Sequence, residues 1–170
     1  MGDSAMAVVA IFLAAILMFV FPLMTMADKK DDVTTLAVET ATTEFTDKIR
    51  TTGRLTQDQY DSFIQTLAAT GNSYDVDITV QKVDENPAKK QTSTTSKIGE
   101  NVSYTMYTSQ VLEKLPSTLT LNEGDIVSVS VKNTNVTIGQ QLRNFMYRIT
   151  GNESSAVAAS ASGIVTTNGN

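Results

Sequence analysis

The sequence predicts an α+β fold: a long N-terminal membrane helix continues into a domain built on an antiparallel sheet of about three strands. Two observations carry this prediction. Residues 5–27 contain no charged side chain, whereas the rest of the chain is largely polar. After that segment, apolar residues first recur every three or four positions and later alternate with polar ones. The first spacing is typical of amphipathic helices and the second of half-buried strands.

The uncharged segment has the length of a membrane span. Ala5–Ala27 contains roughly 23 residues, and about 20 apolar residues at 1.5 Å each cross a hydrocarbon core about 30 Å thick. It is longer than the apolar core of a signal peptide and has no basic residue before it. The three aspartates and two lysines at 28–32 would form a polar collar at the end of the span. We therefore expect residues 1–32 to be a transmembrane helix with its collar, and 33–170 one soluble domain.

The span is expected to continue without a break into the domain. Pro22 lies within the span, where membrane helices tolerate proline, and no Gly or Pro occurs between it and Gly53. The intervening polar residues leave a single apolar face. The residues expected on that face are Val33, Leu36, Ala37, Ala41, Phe45 and Ile49.

A second helix has a detailed start signal. Thr56 can cap it, Gln59 can complete a capping box, and Leu55 with Tyr60 can form a hydrophobic staple. Its end is expected at Gly71, in the left-handed conformation. The buried stripe predicted between them is Tyr60, Phe63, Ile64, Leu67 and Ala68.

The remaining elements follow from alternation and turn residues. Strands are expected at 74–81, 102–106 and 126–131, and a last one within 156–166. A short helix should pass through 111–115 and end at Pro116, and another should cover 138–149. Residues 84–100, which are polar and contain Asn-Pro, predict an exposed loop.

Composition excludes several classes of function. The chain has no histidine and no cysteine, which removes the commonest general base, thiolate nucleophiles and thiolate metal sites. Its net charge of −5, with scattered basic residues, argues against nucleic-acid binding. Asp75, Asp77, Asp84 and Glu85 lack the spacing of a calcium loop and are expected on a solvated face. We therefore expect no enzymatic activity, no cofactor and no metal.

Two features give opposite predictions for membrane orientation. Lys29 and Lys30 directly after the span favour a cytoplasmic domain by the positive-inside rule. The acidic, Thr- and Ser-rich domain favours the outside, which is the orientation we expect.

Several short segments of the sequence resemble those of TadE-like pilus proteins of Gram-positive, clostridia-type bacteria. Besides the span and the Thr-rich helix after it, they are Thr-Thr-Gly-Arg-Leu-Thr-Gln-Asp-Gln-Tyr at 51–60, Leu-Ala-Ala-Thr-Gly-Asn-Ser-Tyr-Asp-Val at 67–76, Tyr-Thr-Ser-Gln-Val-Leu at 107–112 and Glu-Gly-Asp at 123–125. The resemblance implies a pilin-like domain outside the cell membrane and a subunit of a tight-adherence, type IV-related pilus and secretion system. It also implies pilin-like subunits, assembly machinery, the membrane and copies of the chain as partners, and a place in a surface filament.

Small residues in the span are the candidate packing site. Small side chains let helix backbones approach closely in a membrane. The candidates are Ala5, Ala7, Ala10, Ala14 and Ala15, together with Pro22. The segment could serve as a plain lipid anchor or as the packed core of a fibre. The alternative function is accordingly a membrane-tethered extracytoplasmic binding or sensory domain with no filament role.

Overall fold

A computed structural model describes residues 2–83, 103–135, 141 and 158–169. The predicted loop at 84–100 and nearly all of the predicted helix at 138–149 lie outside the described residues. The chain divides into two compact units. The described part of the first is residues 2–36 and 141, and that of the second is 37–83, 103–135 and 158–169. The structure combines helices with antiparallel sheets, as the sequence predicts.

Helix α1, Gly2–Thr52, is continuous over 51 residues and includes Pro22. The prediction of one uninterrupted helix is therefore confirmed. It ends where Gly53 adopts a φ of +64°, a conformation that glycine tolerates at a helix end.

The buried face of α1 differs from the predicted one. Val33 and Leu36 are 69% and 64% exposed, and Ala37 is exposed too. The prediction for these three residues is wrong, because Val38 occupies the buried position instead. From there the buried face continues through Ala41, Thr42, Phe45, Thr46 and Ile49. Thr42 and Thr46 enter it because their hydroxyls donate to carbonyls four residues earlier, at 2.7 and 2.8 Å.

Helix α2, Gln57–Ala68, begins as predicted. The Thr56 hydroxyl accepts the Gln59 backbone N–H at 3.3 Å, and Gln59 Oε1 accepts the Thr56 N–H at 3.1 Å. Phe63 and Leu67 are buried, whereas Ala68, expected in the stripe, is exposed. Gly71 has the predicted left-handed conformation, with a φ of +81°.

The strands form two antiparallel sheets, so the expectation of about three strands is wrong. The main sheet has four strands in the order β3-β2-β5-β6. A second sheet pairs β1 with β4. The strands are β1 Arg54–Leu55, β2 Tyr74–Val83, β3 Ser103–Met106, β4 Leu119–Thr120, β5 Ile126–Asn133 and β6 Ala158–Ile164.

A short helix and a turn connect these strands. Helix α3, Thr108–Lys114, is followed by a 3-10 turn at Leu115–Ser117 that contains Pro116. Asp125 is buried beside β5, and its two carboxylate oxygens accept the backbone N–H groups of Val83 at 3.1 Å and Asn122 at 2.9 Å. These bonds attach the turn before β5 to the end of β2.

One apolar core joins the helices of the second unit to one face of the main sheet. Val76, Ile78 and Val80 alternate inward on β2, and Val127, Val129 and Val131 do so on β5. The helices contribute Phe45 and Phe63, whose rings stack with centroids 4.3 Å apart. The opposite face of the sheet is mostly polar, apart from the paired Ile126 and Ile164. On this face the Ser128 and Ser162 hydroxyls lie 2.6 Å apart.

Candidate functional site

The apolar part of α1 lies uncovered on the chain. The helix at Ser4–Thr52 is long and apolar enough to cross a membrane, and its most apolar stretch is not buried within the protein. A signal sequence near an N-terminus also meets these criteria of length and composition. The large side chains Phe12, Met18 and Phe19 are 69%, 77% and 73% exposed. Such a surface requires lipid or protein around it.

Three of the predicted packing residues lie on one face of the helix. At about 100° of rotation per residue, positions i, i+3 and i+7 fall within a narrow band, and Ala7, Ala10 and Ala14 have this spacing. Ala5 and Ala15 lie on other sides of the helix. All five alanines and Pro22 are exposed. The structure thus places Ala7, Ala10 and Ala14 on one face and Ala15 with Pro22, seven residues apart, on another.

The opposite side of the helix carries large side chains. Phe12, Ile16, Phe19 and Leu23 follow one another at intervals of three or four residues and are 56% to 73% exposed. By helical geometry this band lies across the axis from Ala7, Ala10 and Ala14. Over residues 7–14 one face therefore permits close backbone approach and the other presents bulk, whereas Met18 and Phe21 continue the alanine face with large, exposed side chains. The spacing of three and four residues between Ala7, Ala10 and Ala14 was the sequence signal for this small face.

The collar at 28–32 is only partly solvated. Lys29, Lys30 and Asp32 are exposed, as expected for residues beside a span. Asp31, by contrast, is buried, with a relative exposure of 8%.

A cleft of about 450 Å³ lies between β3 and α3 in the second unit. Its walls are Tyr104, Thr105, Met106, Gln110, Glu113, Lys114 and Ser117. Gln110 Oε1 accepts the Tyr107 N–H at 3.1 Å, which fixes that side chain at the start of α3. Sequence analysis missed this cleft because its two walls are brought together only by the fold.

The acidic residues in the part of the chain that the structure describes are not gathered into one cluster. No group of three potential ligands occurs there. Asp75 and Asp77 are exposed, on the polar face of β2. Asp84 and Glu85 lie outside the described residues. The Asp77 carboxylate accepts the Thr108 hydroxyl at 3.4 Å, a contact that helps position the start of α3.

Tyr60 has a perturbed acid–base equilibrium. Burial against the core raises the pKa of its phenol above the usual 10.0, and the nearby Asp61 carboxylate raises it further. Tyr60 packs against the apolar core next to the cap of α2, where the predicted staple places it. Its ionisation is therefore linked to folding.

Comparisons with known proteins identify no relative. No protein-family model matches the chain, no curated protein matches it, and no solved structure matches it.

Proposed function

We propose that the chain is a structural or assembly subunit of a tight-adherence, type IV-related pilus, acting through packing of its N-terminal helix in and beyond the cell membrane. One observation carries this proposal. A continuous 51-residue helix combines an uncovered apolar segment with a segment packed against a folded domain. The resemblance of several sequence segments to TadE-like proteins adds support.

The division of the apolar segment into two faces supports packing over simple anchoring. A lipid anchor needs only sufficient hydrophobicity, which any arrangement of apolar residues supplies. Close helix–helix contact requires small residues on one side, because the backbones must approach each other. Ala7, Ala10 and Ala14 supply such a side. The proposal includes a single membrane pass by this helix and a domain outside the cell.

Matched alanine substitutions test this proposal. Ala10→Leu and Ala14→Leu keep the span apolar but add bulk to the small face, so helix packing and filament formation should decrease strongly. Ala15→Leu makes the same chemical change on another side of the helix and should have a smaller effect. Self-association is measured by cross-linking the full chain in membranes, and filaments are measured after shearing them from cells.

Two outcomes would contradict the proposal. If all three variants assemble like the parent chain, the span is a lipid anchor and the tethered binding or sensory domain becomes the better function. If all three lose assembly equally, the small face has no special role. Membrane retention of each variant is the control, since Leu for Ala should not weaken insertion.

A further inference from the structure

The two edges of the main sheet differ in shape and composition. Strand β3 forms one edge and β6 the other, and neither pairs on its outer side with another strand that the structure describes. β6 has seven residues, Ala-Ala-Ser-Ala-Ser-Gly-Ile, with no charge and no proline. Natural edge strands usually carry charges, proline or bulges that prevent pairing with other chains. β6 lacks the first two of these protections.

The backbone of β3 faces the cleft between β3 and α3. The Ile78 N–H and C=O both bond to the Thr108 hydroxyl, at 2.9 and 3.3 Å, so this residue of β2 faces the β3 side. The N–H and C=O groups of successive strand residues point to alternate sides of the strand. Those of Val80 therefore also point to β3, where Met106 is its partner. Thr105 must then direct its N–H and C=O away from the sheet. It is also a wall of the cleft.

The cleft runs along this edge and not over a sheet face. Three consecutive residues of β3, 104–106, line it, and consecutive strand residues point to opposite faces. Its other wall is one side of α3 and the turn after it, formed by residues at i, i+3, i+4 and i+7. A strand with small side chains would fit such a cleft better than one with large side chains.

The outer edge of β6 offers complementary groups. The Val165 N–H donates to the Asp125 carbonyl at 2.8 Å and so faces β5, whereas the Ile164 carbonyl accepts Arg50 Nε on the other side. By alternation, Ser160 and Ser162 direct their backbone groups to the outer edge. Their side chains lie on the same sheet face as Thr105, because the register aligns that face through Gln81, Ile126 and Ile164.

We propose that β6 of one copy of this chain adds to the β3 edge of a second copy, in the cleft beside α3. Each neighbouring pair in the sheet is antiparallel, so β3 and β6 run in opposite directions and their pairing would continue the antiparallel pattern. Two different edges give a head-to-tail contact, which builds open-ended chains unless it closes into a ring. A head-to-tail contact of this kind can build a filament.

The proposed edge contact is additional to the helix packing of the proposed function. It depends on that packing, because the edge contact alone is weak. β3 has four residues, so only a few hydrogen bonds can form across the joint. Such a joint is weak between free copies but effective when the packed helices keep the copies close together.

Cysteine cross-linking of the full chain in membranes tests the contact, because the natural chain has no cysteine. Thr105→Cys is combined in turn with Ala158→Cys, Ser160→Cys or Ser162→Cys, all at exposed positions on the same sheet face. Facing strand residues are close enough for a disulfide to form on oxidation. At least one double variant should give dimers, trimers and longer products. The matched control is Thr105→Cys with Ala161→Cys, which lies on the inner face and should give none.

A second variant tests the hydrogen bonding itself. Ser160→Pro removes an N–H that faces away from β5, so it should abolish the ladder of the Thr105→Cys/Ser162→Cys variant while leaving the sheet folded. Ser160→Ala should leave the ladder intact. Circular dichroism monitors folding.

The outcomes separate this proposal from the one on function. If no outer-face pair cross-links while Ala7→Cys alone gives helix-linked dimers, edge pairing is wrong and helix packing stands. If an outer-face cysteine pair cross-links but Ala7→Cys gives no dimers, edge pairing is supported and helix packing is wrong. If Ser160→Cys alone gives dimers in the same yield as the Thr105→Cys/Ser160→Cys variant, β6 pairs symmetrically with β6 of another copy. That result would overturn the proposed contact. Absence of every cross-link overturns both proposals.

Discussion

Arg50 and Ile164 are joined by a hydrogen bond of 2.9 Å, from Arg50 Nε to the Ile164 carbonyl. The Arg50 carbonyl also accepts the Thr166 N–H at 3.0 Å. The end of β6 is therefore attached at two points to the last turn of α1. The Arg50 guanidinium lies against Gly163, where a Cβ atom would overlap it.

The contact between Arg50 and Gly163 predicts a coupled mutational effect. Gly163→Ala should displace the guanidinium and break its bond to Ile164, at a cost of about 1 kcal/mol in the free energy of unfolding. In an Arg50→Ala background the same change should cost much less, because the overlap is gone. Thermal unfolding of the four chains in detergent micelles measures the coupling. Equal costs in both backgrounds would show that Arg50 does not constrain residue 163.

Gly53 is constrained more strongly. Its φ is +64°, and a Cβ atom there would overlap the backbone at Thr167 and Gly169, which cannot move as a side chain can. Gly53→Ala should therefore destabilise the domain by more than the roughly 1–2 kcal/mol that a left-handed conformation costs a non-glycine residue. Gly71→Ala is the matched control, since Gly71 also has positive φ but open space around it. A Gly53 variant no less stable than the Gly71 variant would contradict the close approach.

The sequence predicted the elements whose signals are local. The capping box of Thr56 and Gln59 depends on a spacing of three residues, and the alternation in β2 and β5 persists over enough positions to be unambiguous. Strands β1 and β4 were missed because two residues cannot show alternation. Their pairing depends on backbone contacts, among them the Leu121 N–H donating to the Gly53 carbonyl at 2.8 Å.

The errors on α1 have a different cause. Val33, Leu36 and Val38 are all apolar and lie within two turns, so periodicity alone allows more than one face to be buried. The tertiary structure buries Val38 and leaves the other two exposed. The small face of the span was only partly predictable, since counting alanines identified its members but did not separate Ala7, Ala10 and Ala14 from Ala5 and Ala15. The cleft beside β3 has no local sequence signal.

The cap of α2 predicts the effect of one hydroxyl. Thr56→Ala removes the acceptor of the Gln59 N–H and should lower the free energy of unfolding by about 1 kcal/mol. Thr66→Ala makes the same change in the exposed interior of α2, where the hydroxyl only donates to the Ser62 carbonyl, and should be neutral or slightly stabilising. Chemical denaturation in micelles compares the two. Similar effects at both positions would refute the capping role.

Tyr60 predicts a loss of stability in alkaline solution. Its folded-state pKa is raised, so the neutral phenol is favoured by folding. This contribution is complete below the unfolded-state pKa of about 10 and is lost as the pH rises through the higher folded-state value. Tyr60→Phe should therefore show a smaller decrease in melting temperature between about pH 9 and pH 11 than the parent chain. An identical decrease in both chains would mean that another group controls alkaline unfolding.

The side of the membrane on which the domain lies can be measured with single cysteines. Ser62→Cys lies on the exposed side of α2, and Ser4→Cys lies before the apolar segment. In intact cells, a membrane-impermeant maleimide should label the first and not the second, while both should react after lysis. Labelling of Ser4→Cys alone would reverse the orientation and agree with the positive-inside rule. Recovery of the Ser62→Cys domain from the medium, shortened by the length of the apolar segment, would identify a cleaved signal sequence and rule out a permanent span.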